Sequence, residues 1–380
     1  MSVIMTARRG LGSLLTRGGA AALVVGAGLA LTVSAAPPAA NVTPPPAALT
    51  SLACRSATHC VAVGDSNPDR PTDLFAENWN GTAWTRIAVA KPAGTVSARL
   101  NGVACPNNHP CIAVGKAQPA TGSSYAIAAL WNGKSWSVAK AAAPGSGSQL
   151  TSVSCPSVSS CYAAGSYLPK GSGRTVLVEH WNGKAWAQQP AAAPHGSSDA
   201  ILYAVSCATA SMCVAAGDDK SGSLVERWNG KAWAATRPPT TSTQLLWDVS
   251  CPTATGCFAA GGDTDEQGSL IDHWNGKTWT QDYPVTAVDF GDPRDQSVSC
   301  SSASFCLAVG NLANSVALGR SQFVERWNGK QWAGDNVPFT GGTPGYFIQV
   351  RCLSATSCVA LSPGTAEFWN GSSWRTVPTT

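Results

Sequence analysis

Short runs of alternating apolar and small or polar residues recur along the chain, as in residues 150–155 and 161–165. Their two-residue period is that of a β-strand, and the 3.6-residue period of an amphipathic helix is missing. A third run, residues 176–181, is rich in branched side chains and leads into an Asn-Gly pair, a strong hairpin signal. A fourth run starts at Trp186. The pattern predicts four consecutive antiparallel strands.

This four-strand unit occurs seven times, and successive first cysteines of the units are 44 to 52 residues apart. Four-stranded repeats of that length are typical of propeller blades. We therefore predict an all-β fold, a seven-bladed β-propeller over residues 48–380, with blades beginning near 48, 100, 150, 202, 246, 295 and 347. The first unit starts with its own first strand and the last ends with its own fourth, so no swapped closing strand is expected.

Each unit carries two Trp residues around its Asn-Gly pair, such as Trp181 and Trp186. A two-residue type I′ turn would make them diagonal neighbours on one face, with Glu179 and Lys184 beside them at a polar edge. Stacking on sugar rings is one use of such aromatics. Since every unit has the pair whatever its loops contain, we favour packing between blades.

All 14 cysteines fall into pairs with five residues between them. In an exported chain this regular spacing predicts one disulfide per blade, whereas zinc sites usually show closer pairs. The histidines have no ligand-like spacing, so we expect no metal site and no cofactor. The predicted disulfides are Cys54–Cys60, Cys105–Cys111, Cys155–Cys161, Cys207–Cys213, Cys251–Cys257, Cys300–Cys306 and Cys352–Cys358.

The motifs L-x-x-V-x-C, C-x-A-x-G and W-N-G-K-x-W together resemble the BNR/Asp-box class of propellers, and they are similar to the propellers of photosystem II assembly factors. Gly183 and Trp186 keep the G-x-x-W spacing of the Asp box, but Trp181 stands at the Asp position and Glu179 at the Ser position. Blade two has Ala129 in place of that acid. The resemblance implies a propeller fold, and a fold alone does not imply a function.

The N-terminal region resembles an export signal. Arg8, Arg9 and Arg17 precede an apolar run over residues 20–33, and small residues follow it. We predict a signal peptide over 1–36, a Pro-rich linker over 37–47 and a secreted product, with an uncleaved membrane anchor as the alternative. Removing those three arginines from the 25 basic residues leaves 22 against 21 acidic ones. Near-neutral charge does not favour nucleic acid or an anionic membrane as partner. A monomer is expected.

Candidate binding residues follow from where a blade's variable loops emerge. In each blade the second-to-third loop and the inter-blade connection vary, and they lie on one face of the disc. The residue four positions before the first Cys should reach that face at the channel mouth, where it reads Thr, Asn and Thr in blades one to three. Blades four to seven have larger groups there. The predicted site is Tyr203, Trp247, Asp248, Gln296 and Ile348.

Two functions remain open from these residues. A non-catalytic extracellular module would bind a glycan, a peptide or a protein at the mouth. A polysaccharide-processing enzyme would need a pair of carboxylates there, about 5 to 10 Å apart. The loop carboxylates near residues 263–266 and 289–295 are the candidates for such a pair.

Overall fold

The fold was analysed in a computed structural model that describes residues 48–65, 73–106, 110–142, 146–191, 197–239, 244–263, 269–282, 292–313, 321–334, 339–340 and 346–380. The proposed signal peptide and linker lie outside these residues. Strands make up all regular structure in the described part, and it holds no helix long and apolar enough to cross a membrane. The prediction of an all-β chain is confirmed.

Twenty-eight strands form seven blades of four, and each blade consists of consecutive strands. The first four blades contain β1 (Ala48–Ser56), β2 (His59–Asp65), β3 (Leu74–Trp79) and β4 (Trp84–Val89); β5 (Thr95–Ala104), β6 (Ile112–Pro119), β7 (Tyr125–Trp131) and β8 (Trp136–Lys140); β9 (Ser146–Ser157), β10 (Ser160–Leu168), β11 (Thr175–Trp181) and β12 (Trp186–Gln189); and β13 (Ile201–Thr209), β14 (Met212–Asp219), β15 (Gly222–Trp228) and β16 (Trp233–Thr236).

Blades five and six contain β17 (Gln244–Thr253), β18 (Gly256–Asp263), β19 (Ser269–Trp274) and β20 (Trp279–Asp282); and β21 (Asp292–Ser302), β22 (Phe305–Ala313), β23 (Ser321–Trp327) and β24 (Trp332–Gly334). Blade seven contains β26 (Gln349–Ser354), β27 (Ser357–Ser362), β28 (Thr365–Trp369) and β29 (Trp374–Pro378), and a short fifth strand, β25 (Phe339–Thr340), pairs in parallel with β29. Among the residues that the structure describes, no strand is exchanged between the chain ends, as predicted.

Each disulfide joins the first two strands of one blade, across the turn between them. All seven predicted pairs are formed, with Cα–Cα distances of 3.9 to 4.1 Å. In blade one the two cysteines are direct cross-strand partners, Cys54 opposite Cys60. The bonds therefore hold the innermost hairpin of every blade, and they do not connect one blade to another.

The Trp pairs pack between blades, as predicted, but the turn between them differs from the prediction. Trp181 and Trp186 are direct cross-strand partners with four residues between them. In this loop Gly183 alone takes a positive φ, of 92°, and the Asn182 side-chain oxygen accepts hydrogen bonds from the backbone N–H groups of Lys184 and Ala185 at 2.9 and 3.0 Å. The two-residue type I′ turn was wrong because Asn182 caps a longer loop with its side chain instead of adopting positive φ.

The first Trp of a blade packs against side chains of the preceding blade. Trp79 of blade one lies 4.6 Å, centroid to centroid, from Phe368 of blade seven, and Trp327 of blade six lies 5.0 Å from Phe258 of blade five. Clusters of buried apolar residues run across each of the seven boundaries in the same way. The core is therefore a ring of inter-blade layers.

Near the axis, polar side chains of one blade bind the backbone of the next. In five blades the residue three positions before the first Cys accepts a hydrogen bond from a backbone N–H of the following blade. Gln349 of blade seven accepts from Leu52 of blade one at 2.5 Å, which closes the ring. The other four acceptors are Ser51, Ser152, Asp248 and Ser297, bound at 3.1 to 3.2 Å.

A buried acid stands two residues before the first Trp in every blade except blade two. These acids are at most 3% exposed: Glu77, Glu179, Glu226, Asp272, Glu325 and Glu367. The predicted polar edge with Lys184 is thus wrong for Glu179, which is buried and accepts from the backbone N–H of Ala142 in the preceding connection at 3.1 Å. Glu77 accepts in the same way from Thr380, at 3.2 Å.

Asp272 lacks this backbone N–H donor because the equivalent residue before its blade is a proline. Ala142 and Thr380 each stand six residues after the second Trp of their blade, and blade four has Pro239 at that position. Proline has no N–H. Within the described residues both carboxyl oxygens of Asp272 are buried without a hydrogen-bond partner, and burial, with a smaller contribution from Asp282, raises the pKa of Asp272 to about 7.

The closing boundary between blades seven and one gives a first prediction. Trp79 is 2% exposed there, whereas Trp228, the equivalent residue between blades three and four, is half-buried. We expect Trp79→Ala to lower the free energy of unfolding by about 3 to 5 kcal/mol, as for other buried aromatics. Trp228→Ala should cost less. Urea unfolding with the disulfides intact measures both, and a Trp79→Ala variant as stable as the parent would contradict closure by packing.

Glu226 gives a pH-dependent prediction. Both its oxygens are buried without a hydrogen-bond partner among the described residues, and burial raises the pKa of Glu226 from 4.5 to about 8. The folded protein therefore holds this proton more tightly than the unfolded chain. The resulting destabilisation grows as the pH rises from about 4.5 to about 8, and it is complete above that range.

Glu226→Gln removes the ionisation while keeping the shape of the side chain. The variant should melt at a higher temperature than the parent at pH 9, and the gain should shrink towards pH 4, where the parent carries the proton in both states. Thermal melts across this pH range provide the measurement. A gain that stays constant with pH would show that Glu226 does not titrate as described.

Candidate functional site

The predicted position four residues before the first Cys is a β-bulge in blades one to six. In blade three the pairing of β9 with β10 skips Thr151, since Ser152 is opposite Ala164 and Leu150 is opposite Gly165. The same irregularity skips Tyr203 and Trp247 in blades four and five. A bulged residue is left out of the ladder and its side chain is re-aimed, which is why bulges often adjoin functional sites.

A glycine of the repeat makes the bulge possible. Gly165 lies where the bulged strand approaches β10, and a Cβ atom added there would overlap the carbonyl oxygen of Gln149. The same clash would occur at Gly217 with Ile201 and at Gly261 with Leu245. The C-x-A-x-G motif therefore records the bulge in the sequence, because only glycine tolerates this contact.

Blades one to three use their bulged side chains to hold the ring. The Thr50 hydroxyl lies within hydrogen-bond distance of the carbonyl oxygens of Leu100 in blade two and of Val63. Asn101 donates to the Leu150 carbonyl of blade three at 2.8 Å, and Thr151 reaches the Leu202 carbonyl of blade four at 2.6 Å. These three side chains have a structural role.

The residues at this position in blades four, five and seven cannot make this bond in the same way. In blade seven the residue is Ile348, which directly precedes β26 and is not bulged. Trp247 and Ile348 have no short polar group, and Tyr203 places its hydroxyl against Asp218. All three are half-buried and line a cavity of ≈ 140 Å³, to which the first strands of all seven blades contribute. We call it the axial cavity. A cavity of about 150 Å³ holds one benzene-sized group, so this one suits a single ring-sized side chain.

Asp248 lies in the wall of the axial cavity, but its carboxylate is already bound. One oxygen accepts from the Ser297 hydroxyl at 2.5 Å and from the Val298 N–H at 3.2 Å, and it lies 3.8 Å from Arg351. Burial raises the pKa of Asp248, and Arg351 opposes this shift. The geometry thus assigns Asp248 an inter-blade role, whereas the sequence predicted a ligand contact.

Tyr203 belongs to an acidic and basic cluster at the edge of the cavity. Burial, followed by the neighbouring carboxylate of Asp218, raises the pKa of Tyr203. The pKa of Asp218 is raised to about 6 by burial, with the neighbouring Asp219 adding to the effect. Arg174 contributes an opposing positive charge and pairs with Asp199 at 3.4 Å.

The structure brings four of the five predicted residues together, since Tyr203, Trp247, Asp248 and Ile348 all line the axial cavity. The side chain of Gln296 lies outside the described residues, as do the loop carboxylates proposed for an enzyme. Sequence reasoning missed Asp218 and Arg351. Asp218 could have been found, because Gly-Asp-Asp after the A-x-G motif departs from the other blades.

Within the described ranges, no group of three or more His, Cys, Asp or Glu side chains is placed to hold a metal ion. Asp248 is the one carboxylate in the described lining of the axial cavity, and it has the partners given above. Hydrolysis of a glycosidic bond generally requires two carboxyl groups that face the substrate. The described cavity wall does not offer that pair.

No protein-family model matches the chain, and no curated protein matches it either. Solved structures do. The chain is similar to YCF48 bound to D1 peptide, with 14% identity and a TM-score of 0.55 over 86% of this chain and 94% of that chain. It is similar to the GH74 xyloglucanase from Xanthomonas campestris, with 13% identity and a TM-score of 0.60 over 86% of this chain and 54% of that chain.

A third similar structure is Chaetomium thermophilum Sqt1 bound to the N-terminus of the ribosomal protein L10, with 10% identity and a TM-score of 0.50 over 86% of each chain. At these identities the similarity shows the propeller fold alone. The neighbours include two peptide-bound proteins and one glycosidase, so they span both functional classes left open by the sequence.

The bonds at Asp248 predict which role it has. Asp248→Ala should lower the free energy of unfolding by about 1 to 3 kcal/mol, because the buried donors of Ser297 and Val298 lose their acceptor. Asp248→Asn keeps one acceptor oxygen and should retain more of that stability. Urea unfolding compares the three proteins. If Asp248→Ala unfolds like the parent, the residue is not structural and is free for a ligand.

Proposed function

We propose that this protein is an extracellular, non-catalytic binding scaffold that captures a peptide segment of another protein at the axial cavity. One observation carries the proposal. The position four residues before the first Cys, whose side chain holds the ring in blades one to three, is occupied by Tyr203, Trp247 and Ile348 in blades four, five and seven. An aromatic or aliphatic residue at this position does not make the inter-blade hydrogen bond of the other blades. Contact with a ligand would explain why such a residue stands there.

The size and chemistry of the axial cavity favour a peptide over a glycan chain. At ≈ 140 Å³ it is smaller than the roughly 300 to 1,000 Å³ typical of sites for whole small ligands. One inserted side chain fits, while the remainder of a peptide would cross the mouth. Ser51, Asn101 and Gln349, which make the inter-blade hydrogen bonds described above, also line the wall and give it a polar surface. Both peptide-bound neighbours agree with this class of ligand.

The disulfides support the extracellular placement. All described cysteines are paired and none is free. Seven structural disulfides indicate an oxidising environment, since cytosolic thiols are kept reduced. The proposed signal peptide over residues 1–36 would deliver the chain there. Because the net charge of the mature chain would be close to zero, binding would depend on shape and aromatic contact instead of long-range electrostatic attraction.

Trp247→Ala tests the proposal. A library of displayed random peptides and a glycan array would be probed with purified, disulfide-bonded protein. We expect selected peptides to carry an aromatic or large aliphatic residue, and their affinity to fall at least about tenfold in Trp247→Ala, as for a buried aromatic anchor. The melting temperature should fall less than in Trp79→Ala.

Val158→Ala is the matched control, because Val158 is an exposed apolar residue in the turn between Cys155 and Cys161, away from the cavity. It should leave peptide affinity unchanged. Binding of glycans without any peptide, or release of sugar from a polysaccharide substrate, would contradict the proposal and favour the enzyme. Peptide binding that survives Trp247→Ala would place the site elsewhere.

A further inference from the structure

A second concave surface lies between blades four and five and shares no residue with the axial cavity. Its volume is ≈ 480 Å³, within the roughly 300 to 1,000 Å³ range of ligand pockets. We call it the rim groove, since it adjoins the outer strands β16 and β20. It is lined by Arg227, Thr236, Arg237 and Pro239 of blade four and by Trp274, Lys277, Thr278 and Trp279 of blade five.

The rim groove carries excess positive charge. The guanidinium of Arg227 lies over the ring of Trp274, 5.3 Å from its centroid, and Lys277 is exposed in the Asn-Gly loop. Arg237 pairs with Asp219 at 2.6 Å. Among the residues that the structure describes, neither Arg227 nor Lys277 has an ion-pair partner. Two cations are therefore available to an anionic ligand.

In blade seven an additional strand occupies the outer edge of the sheet. The segment β25 pairs in parallel with Trp374 and Arg375 at the start of β29, the outer strand of blade seven. The repeat-equivalent positions in blade five are Trp279 and Thr280, at the start of β20. Trp279 lines the rim groove. An extended backbone added to β20 would thus run beside the groove, as β25 runs beside β29.

The length and composition of the connection before blade five do not favour a strand equivalent to β25. Fourteen residues, 335–348, connect β24 to β26, and they include β25. Only seven, 237–243, connect β16 to β17. Two of these are Pro238 and Pro239, which cannot donate backbone hydrogen bonds. In the described part of the chain, no second strand pairs with Trp279 and Thr280 on the side of β20 that faces away from β19.

We propose that the rim groove binds an extended acidic segment of a partner protein, which adds as a strand parallel to β20 and places carboxylates against Arg227 and Lys277. Backbone pairing would supply affinity, and alternate side chains would supply specificity. An acidic glycan could meet the same cations but would leave the strand edge unused. Trp274 and Trp279 are only 8% and 9% exposed, which leaves little ring face for stacking on sugars.

The probe is a fluorescein-labelled hexapeptide of alternating glutamate and valine, blocked at both ends, and fluorescence anisotropy measures its binding. The groove variant is Arg227→Gln with Lys277→Gln. The control, Arg326→Gln with Lys330→Gln, removes the same charges from repeat-equivalent positions of blade six. We expect affinity to fall at least about tenfold in the groove variant and less than about twofold in the control.

Two further peptides separate strand pairing from charge. The same sequence with alternate backbone amides N-methylated, to block pairing with β20, should not bind, and neither should one with lysine in place of glutamate. Trp247→Ala should leave the affinity unchanged, so failure at the rim groove and failure at the axial cavity give different results. If the double variant is not folded, Lys277→Gln alone is used, and it should weaken binding about threefold.

Three results would overturn the proposal. The first is a groove variant that binds the peptide as tightly as the parent does, and the second is an N-methylated peptide that binds as well as the unmodified one. The third is binding of trigalacturonic acid at the groove without binding of the acidic hexapeptide. The last result would assign the groove to acidic glycans.

Discussion

The hydrogen bonds that join each blade to the next at the axis are the interaction on which the rest of this structure depends. A closed ring has seven boundaries between blades, so the boundary between blades seven and one must be as stable as the other six. Gln349 makes it by accepting the backbone N–H of Leu52, and Trp79 packs against Phe368 farther out. No exchanged strand is needed because these contacts repeat the ones used elsewhere in the ring.

The same constraint determines where the chain is free to vary. Short polar residues are needed near the axis wherever a side chain must reach the neighbouring backbone, as Thr50 and Thr151 do. Tyr203, Trp247 and Ile348 depart from that requirement on one side of the ring, and they meet in the axial cavity. The disulfides hold the inner hairpins that carry these residues, so the cavity is built on a rigid part of the fold.

The fold could be predicted from sequence because every blade repeats the same local signals. Cysteine spacing gave the disulfides, and the paired Trp residues gave the packing between blades. The turn around Asn182 was mispredicted because Asn-Gly also occurs in longer loops, where the Asn side chain supplies the hydrogen bonds. Glu179 was predicted at an exposed polar edge because a single sequence does not show that its carboxylate accepts a backbone N–H from the connection before its blade.

The candidate site was predictable only in part. Position relative to the first Cys selected Tyr203, Trp247 and Ile348, and all three line the axial cavity. In blades four and five this position is a bulge at a constant distance from the disulfide. It could not reveal that Asp248 binds Ser297, nor that Arg351 reaches across from blade seven, since both contacts join residues far apart in the chain. The rim groove was missed because Arg227, Arg237 and Lys277 come together only when blades four and five pack.

The central claim is that recognition is located where the blades depart from the repeat. Hydrogen exchange of the protein with and without a peptide selected against it tests that claim most directly. The account predicts added protection at the first residues of β13, β17 and β26, around Tyr203, Trp247 and Ile348, with little change in the turns between paired cysteines. Protection concentrated in those inter-cysteine turns, on residues that every blade shares, would contradict it.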